Sequence, residues 1–124
     1  MTQQEFVDLF AMMPDWSSRY EYIMDRCAIV TMPVEMHIPH YRIESCLSKL
    51  YFCVKKDPDI QILAWGNNPI SLGLAGVIYD IFNGRPVVPS YEKLFFHTRS
   101  GLQDHLSPAR AAAMIEMLQR LTNA

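Results

Sequence analysis

The sequence has no apolar run that approaches the roughly 20 residues needed for a membrane-spanning helix. Its beginning, Met1 to Glu5, lacks the basic start and the apolar stretch of a signal peptide. The formal net charge of -2 and the pI near 6.0 provide no positive excess that would attract nucleic acid or an anionic membrane. We therefore expect a cytoplasmic protein that binds neither nucleic acid nor membrane.

Cysteine is also scarce, and its pattern excludes several kinds of site. The three cysteines are Cys27, Cys46 and Cys53. An odd and sparse number does not indicate a disulfide framework, and the spacing offers no C-x2-C pair for zinc. His37 and His40 lie three residues apart with Pro39 between them, so they would not face one another as helical metal ligands do. No Gly-rich phosphate loop is present, and no carboxylate pair indicates acid/base hydrolysis. We expect no cofactor or metal held by this chain.

What the sequence does have is the composition of one compact domain. Hydrophobic residues make up 50% of the 124 residues and charged residues 19%, which is typical of a globular protein with a single core. No repeat, low-complexity tract or linker-like stretch divides it. We predict one domain spanning residues 1–124.

The first part of the chain predicts two helices and a loop. Apolar residues at helical spacing indicate a first helix from Thr2 to Met13, which Pro14 ends. Asp15 is a typical N-cap for a second helix that begins near Trp16. Two prolines interrupt the stretch from Ile29 to His40, which we predict to be an irregular loop.

The middle of the chain predicts strands. Alternating apolar and polar residues from Arg42 to Lys56 indicate a strand, and Ile60 to Trp65 indicates the returning strand after a turn at Asp57–Asp59. A short third strand is predicted at Tyr41 to Ser45.

The last part of the chain predicts more helices. Asn67 or Asn68 can cap a nearly all-apolar helix from Ile70 to Phe82, and Ser107 can cap a final helix from Pro108 to Leu121. The predicted fold class is therefore α+β, a small antiparallel sheet of about three strands covered by helices on one face.

Cys46 lies where the proline-rich loop meets the strand, and reactive side chains tend to lie on loops next to rigid elements. The alternative is a small buried apolar residue, which free cysteines usually are. For Cys27 and Cys53, packing is the better interpretation. Arg110 lies in the first turn of the last helix, where the helix dipole disfavours a cation. It is either an ordinary solvated arginine or a residue that holds a carboxylate or a partner.

Four segments, in one order along nearly the whole chain, resemble the SufE family of sulfur acceptors for cysteine desulfurases. The segment at Trp16–Ile23 is similar to the family's W-x-x-[KR]-Y-x-x-I helix, and Cys46–Tyr51 is similar to its C-x-S-x-[VL]-[WY] motif. The helix from Gly73 to Gly84 resembles the family's central helix. Leu102–Arg110 is close to the motif L-x-x-H-L-[ST]-P-S-R, which is the most specific of the four.

The resemblance implies a SufE/NifU-like fold and a sulfur carrier rather than an enzyme with turnover of its own. Cys46 would accept persulfide sulfur from a pyridoxal-phosphate-dependent cysteine desulfurase, stimulate that enzyme and pass the sulfur to an iron-sulfur scaffold. Pyridoxal phosphate would belong to the partner. Supporting or partner-binding roles are expected for Arg42, Ser45, Ser48, Asn67, His105 and Arg110.

The chain also departs from the family pattern, which makes it a divergent member. Ser45 stands where the family usually has glycine, and Asn67 and Leu72 replace the residues common around the central helix. One alternative is a binding module that regulates a desulfurase or another partner without transferring sulfur. A second is an oxidoreductase that pairs Cys46 with another cysteine, although no C-x-x-C motif supports it. A monomer and a homodimer are both compatible with the sequence.

Overall fold

The computed structural model describes the whole chain, residues 1–124, as an α+β fold. Four short 3-10 turns connect the main elements and lie at Arg26–Ile29, Val34–Met36, Pro39–Tyr41 and Tyr91–Lys93. The helices and strands, in chain order, are α1 (Gln3–Met12), α2 (Trp16–Asp25), β1 (Leu50–Lys56), β2 (Ile60–Gly66), α3 (Pro69–Phe82), α4 (Phe96–Arg99), α5 (Leu102–His105) and α6 (Pro108–Thr122). The predicted fold class is confirmed.

Side-chain caps fix the starts of the first two helices. The hydroxyl of Thr2 accepts the Glu5 N–H at 3.1 Å, and the Glu5 carboxylate accepts the Thr2 N–H at 2.9 Å, which is a capping box. Asp15 accepts the Ser18 N–H at 2.8 Å and begins α2, as predicted.

The sheet has two strands, so the prediction of about three is wrong. β1 pairs antiparallel with β2, from Leu50 opposite Gly66 to Lys56 opposite Ile60. The segment predicted as a third strand, Tyr41–Ser45, makes only one isolated bridge, between Arg42 and Tyr51.

The reason is a competing hydrogen-bond donor from the far end of the chain. The guanidinium of Arg120 donates to the carbonyls of Tyr41 and Arg42, which a neighbouring strand would otherwise use. The strand that was predicted to begin at Arg42 therefore begins at Leu50, and the residues between them form a loop.

The region predicted as an irregular loop, Ile29 to His40, contains short 3-10 turns separated by extended residues. His37 stacks against Tyr51 and Trp65, with ring centroids 5.3 and 4.7 Å away, on the outer face of the hairpin. The loop thus covers part of the sheet face that the helices leave open.

Helix α3 is central to the fold, and two glycines let it approach its neighbours closely. A Cβ on Gly73 would lie 2.1 Å from the carbonyl oxygen of Ile23, and one on Gly76 would lie 2.1 Å from that of Arg26. With α6 and the inner face of the hairpin, α3 encloses a core cluster of 26 buried residues. None of the helices has the length and apolar character that crossing a membrane requires.

Candidate functional site around Cys46

Cys46 lies at the tip of a loop whose base is held on both sides. The N–H of Ile43 donates to the Leu50 carbonyl at 2.8 Å. The N–H of Lys49 donates to Oδ1 of Asn67 at 3.1 Å, and the Asn67 N–H donates to the Lys49 carbonyl at 3.1 Å. The residues between these anchors, Glu44–Ser48, are called the Cys46 loop below.

The thiol of Cys46 points inward, whereas its neighbour points outward. Cys46 is only 7% exposed, and its Sγ lies 3.3 Å from Oγ of Ser48 and 3.6 Å from Oγ of Ser71. Leu47 is 90% exposed. A buried thiol and a fully presented apolar side chain are therefore adjacent on this loop.

A cavity of about 240 Å³ adjoins the thiol. It has room for a further sulfur atom, since a water molecule occupies about 30 Å³ in the liquid. The N-cap residues of α3 and α6, Asn68 and Ser107, both lie in its wall with Arg110, so two positive helix ends and a guanidinium favour negative charge there. The lining residues are Cys46, Leu47, Ser48, Asn68, Ser71, Ser107, Ala109 and Arg110.

Glu116 of α6 accepts hydrogen bonds from the first two residues of the Cys46 loop. Its carboxylate accepts the N–H of Glu44 at 3.1 Å, and the N–H and hydroxyl of Ser45 at 3.0 and 2.7 Å. Partial burial raises the pKa of the Glu116 carboxyl, but these hydrogen bonds and the charge of Arg120 outweigh it, so the pKa lies below its usual value. Glu116 is therefore ionised at neutral pH, when its acceptor capacity is greatest.

Arg120, one turn further along α6, connects Glu116 to the base of the loop. Its guanidinium pairs with the Glu116 carboxylate at 3.0 Å and donates to the carbonyls of Tyr41 at 2.9 Å and Phe52 at 3.1 Å. It also donates to the Arg42 carbonyl. A planar guanidinium with five donors is suited to several acceptors at once, which a lysine ammonium is not.

The structure brings three of the residues expected from the sequence together with Cys46. Ser48 and Arg110 line the same cavity as the thiol, and Ser45 fixes the loop through Glu116. Asn67 is exposed and holds the base of the loop through Lys49.

The two remaining expected residues lie outside the cavity wall. Arg42 contributes through its backbone: its carbonyl accepts a hydrogen bond from Arg120, and it forms an isolated β-bridge with Tyr51. His105 stacks on the ring of Trp16 at 3.8 Å between centroids, and its Nδ1 lies 3.0 Å from the hydroxyl oxygen of Tyr20. These contacts join α5 to α2.

Sequence reasoning missed Glu116, Ser71, Asn68 and Ser107 as parts of the site. Glu116 and Arg120 are four residues apart on one helix, which in sequence is typical of an ordinary surface pair. Ser71 gave a usable signal in the sequence, because it is a polar residue in a nearly all-apolar helix. The structure shows it buried beside the thiol.

The other two cysteines lie in different surroundings. Burial raises the pKa of the Cys53 thiol, against the opposing effects of Lys55, a hydrogen bond with Tyr41, and Arg120. Cys53 is therefore a weak nucleophile at neutral pH. Cys27 lies in the 3-10 turn after α2 and is partly buried. All three cysteines are free, and no group of three or more His, Cys, Asp or Glu side chains could hold a metal ion.

These features define an α+β protein that presents one cysteine loop beside an electropositive cavity. The family described as SufE, Fe-S metabolism associated domain, matches residues 4–124, so this chain belongs to the SufE family. The family is an accessory to iron-sulfur metabolism and interacts with cysteine desulfurases. The resemblance inferred from the sequence is confirmed.

Comparison with solved structures supports the fold. The solution structure of a hypothetical protein from Thermus thermophilus is similar, with a TM-score of 0.80 and 18% sequence identity. The likeness covers 99% of this chain and 94% of the other. Curated protein sequences yield no match to the chain.

Proposed function

We propose that this protein accepts persulfide sulfur on Cys46 from a cysteine desulfurase, stimulates that enzyme and passes the sulfur to an iron-sulfur scaffold. The observation that carries the proposal is the position of the Cys46 thiol, on a short loop beside a cavity with space and positive charge for one more sulfur. Such a thiol must stay reduced, so we place the protein in the cytoplasm.

The proposed step is a thiol exchange that needs no cofactor in this chain. The Cys46 thiolate attacks the outer sulfur of the persulfide on the desulfurase, a bond forms between the two sulfurs, and the old sulfur–sulfur bond breaks. The desulfurase cysteine leaves as a thiolate, and no net oxidation occurs. The new persulfide on Cys46 has an anionic outer sulfur. Arg110 would stabilise it as a charge lining the same cavity, and the hydroxyls of Ser48 and Ser71, which lie 3.3 and 3.6 Å from Sγ, would donate to it.

Intact mass spectrometry tests the proposal directly. The protein is incubated with a desulfurase, its pyridoxal phosphate and cysteine, and we expect a gain of one sulfur atom that Cys46→Ser abolishes and Cys53→Ser keeps. Binding to the desulfurase without any mass gain would instead support a binding module that regulates its partner. An internal disulfide on oxidation would support an oxidoreductase.

Leu47 is expected to contribute to docking on the desulfurase. Burying a leucine against a partner contributes about 1.5–3 kcal/mol, so Leu47→Ser should weaken the Kd about tenfold or more while leaving the unfolding midpoint unchanged. Isothermal titration against the desulfurase measures this. The matched control is Met12→Ser, because Met12 is 82% exposed at the end of α1 and lines no part of the Cys46 cavity. Equal affinities for both variants and the parent would exclude Leu47 as an anchor.

A further inference from the structure

The hydrogen bonds of the Cys46 loop converge on very few partners. Beyond the loop and its base, they reach only two side chains, Glu116 and Ser71. The contact with Ser71 is a weak bond from a thiol at 3.6 Å. Glu116 by contrast receives three donors, so it provides most of the polar attachment of the loop to the rest of the protein.

The attachment through Glu116 is charged and itself supported. The side chain of Glu116 is 20% exposed, and hydrogen bonds to a partly buried carboxylate are stronger than those between neutral groups. Arg120 binds Oε2 of the same carboxylate, which fixes the direction in which both oxygens face the loop. Helix α6 thus holds Glu44 and Ser45 from a rigid base.

A buried thiol cannot reach a sulfur atom on another protein without movement of its loop. Cys46 is 7% exposed, and the residues on either side of the loop are held by Ile43, which is fully buried, and by the Lys49–Asn67 pair. Movement is therefore confined to Glu44–Ser48. The contacts that hold these residues to the rest of the protein are chiefly the three hydrogen bonds of Glu116, with the weaker thiol contact to Ser71.

We propose that Glu116 is a positioning residue that holds the Cys46 loop in its closed state, so that its release from Ser45 and Glu44 exposes the thiol. This proposal rests on the proposed function for its purpose, because the closed state would shelter the persulfide and the open state would exchange sulfur. The mechanical part, Glu116 controlling access to Cys46, can be measured without any sulfur transfer.

The experiment measures the rate at which iodoacetamide alkylates each cysteine, with peptide mapping by mass spectrometry. Loss of even one hydrogen bond to a charged group shifts an equilibrium about tenfold or more. We therefore expect Glu116→Ala to accelerate alkylation of Cys46 at least about tenfold, while Cys27 and Cys53 keep their rates. Gln119→Ala is the matched control, since Gln119 is exposed on the same helix, and it should change no rate.

A double-mutant cycle separates this contact from a general loosening of the protein. Ser45→Ala removes only the 2.7 Å hydroxyl bond and should accelerate Cys46 alkylation less than Glu116→Ala does. In the Glu116→Ala background, Ser45→Ala should have no further effect. If Glu116→Ala does not fold, Glu116→Gln keeps the shape and removes the charge, and the same selective acceleration is expected.

An unchanged Cys46 rate, or equal acceleration at all three cysteines, would overturn the proposal. Additive effects of the two substitutions would also overturn it. Sulfur transfer is recorded separately for the same variants. A parent protein that gains no sulfur but shows selective acceleration in Glu116→Ala would refute the proposed function and leave the role of Glu116 in place.

Discussion

Arg120→Ala is expected to lower the free energy of unfolding by about 3 kcal/mol or more, since each net hydrogen bond contributes about 1 kcal/mol and those to charged groups more. The substitution removes the guanidinium that donates to the carbonyls of Tyr41, Arg42 and Phe52 and to the Glu116 carboxylate. The hydrogen bonds that are lost support β1, the base of the Cys46 loop and Glu116 at the same time. Urea unfolding measures it.

Two control variants test whether the effect of Arg120→Ala is specific to its guanidinium. Arg120→Lys keeps the charge but cannot reach all four acceptors, so we expect it to recover less than half of the loss. Arg99→Ala removes an arginine whose guanidinium lies 4.2 Å from the ring centroid of Phe95, and it should cost about 0.5–1 kcal/mol. A loss below about 1 kcal/mol for Arg120→Ala would mean that water replaces the guanidinium at the carbonyls.

Gly73→Ala and Gly76→Ala are each expected to destabilise the fold by about 3 kcal/mol, although alanine favours a helix over glycine by about 1 kcal/mol. The added carbon would lie 2.1 Å from the carbonyl oxygens of Ile23 or Arg26. Backbone atoms cannot turn aside as a side chain can, so α3 would have to move away from α2 and the turn that follows it. The loss is large compared with a total stability of about 5–15 kcal/mol.

Thermal and urea unfolding of both variants check this prediction, with Gly84→Ala as the comparison. Gly84 has a φ of +83° and no heavy atom within 4 Å of an added Cβ, so its replacement should cost only about 1 kcal/mol, from backbone strain. Equal losses at Gly73 and Gly84 would show that α3 can separate from α2 without difficulty.

The parts of the fold that depend on neighbouring residues could be predicted from the sequence. Asp15 caps α2 and Ser107 caps α6 because the interactions concerned span three residues. The prediction of a third strand was wrong because the carbonyls of Tyr41 and Arg42 accept hydrogen bonds from Arg120, which lies 79 and 78 residues away along the chain. A pattern of neighbouring residues cannot indicate that so distant a side chain takes these carbonyls from a neighbouring strand.

The candidate site divides in the same way. Cys46, Ser48 and Arg110 were expected from motifs, and the structure brings them to one cavity. Glu116 was not expected, because its hydrogen bonds with Ser45 join residues 71 positions apart. His105 was expected in a supporting or partner-binding role, and the structure places it at the end of α5 against Trp16 and Tyr20, outside the cavity wall.

The short length of the Cys46 loop limits how far the thiol can move. Residues 44–48 have a contour length of roughly 18 Å at about 3.5 Å per residue. Because the loop is held at both ends, its middle residue can move outward by at most about half of that length, roughly 9 Å. Under the proposed function, Cys46 therefore cannot carry sulfur between two proteins that are bound at separate places. Sulfur donor and sulfur recipient would therefore have to occupy the same surface around Leu47 in turn, and each would compete with the other for it.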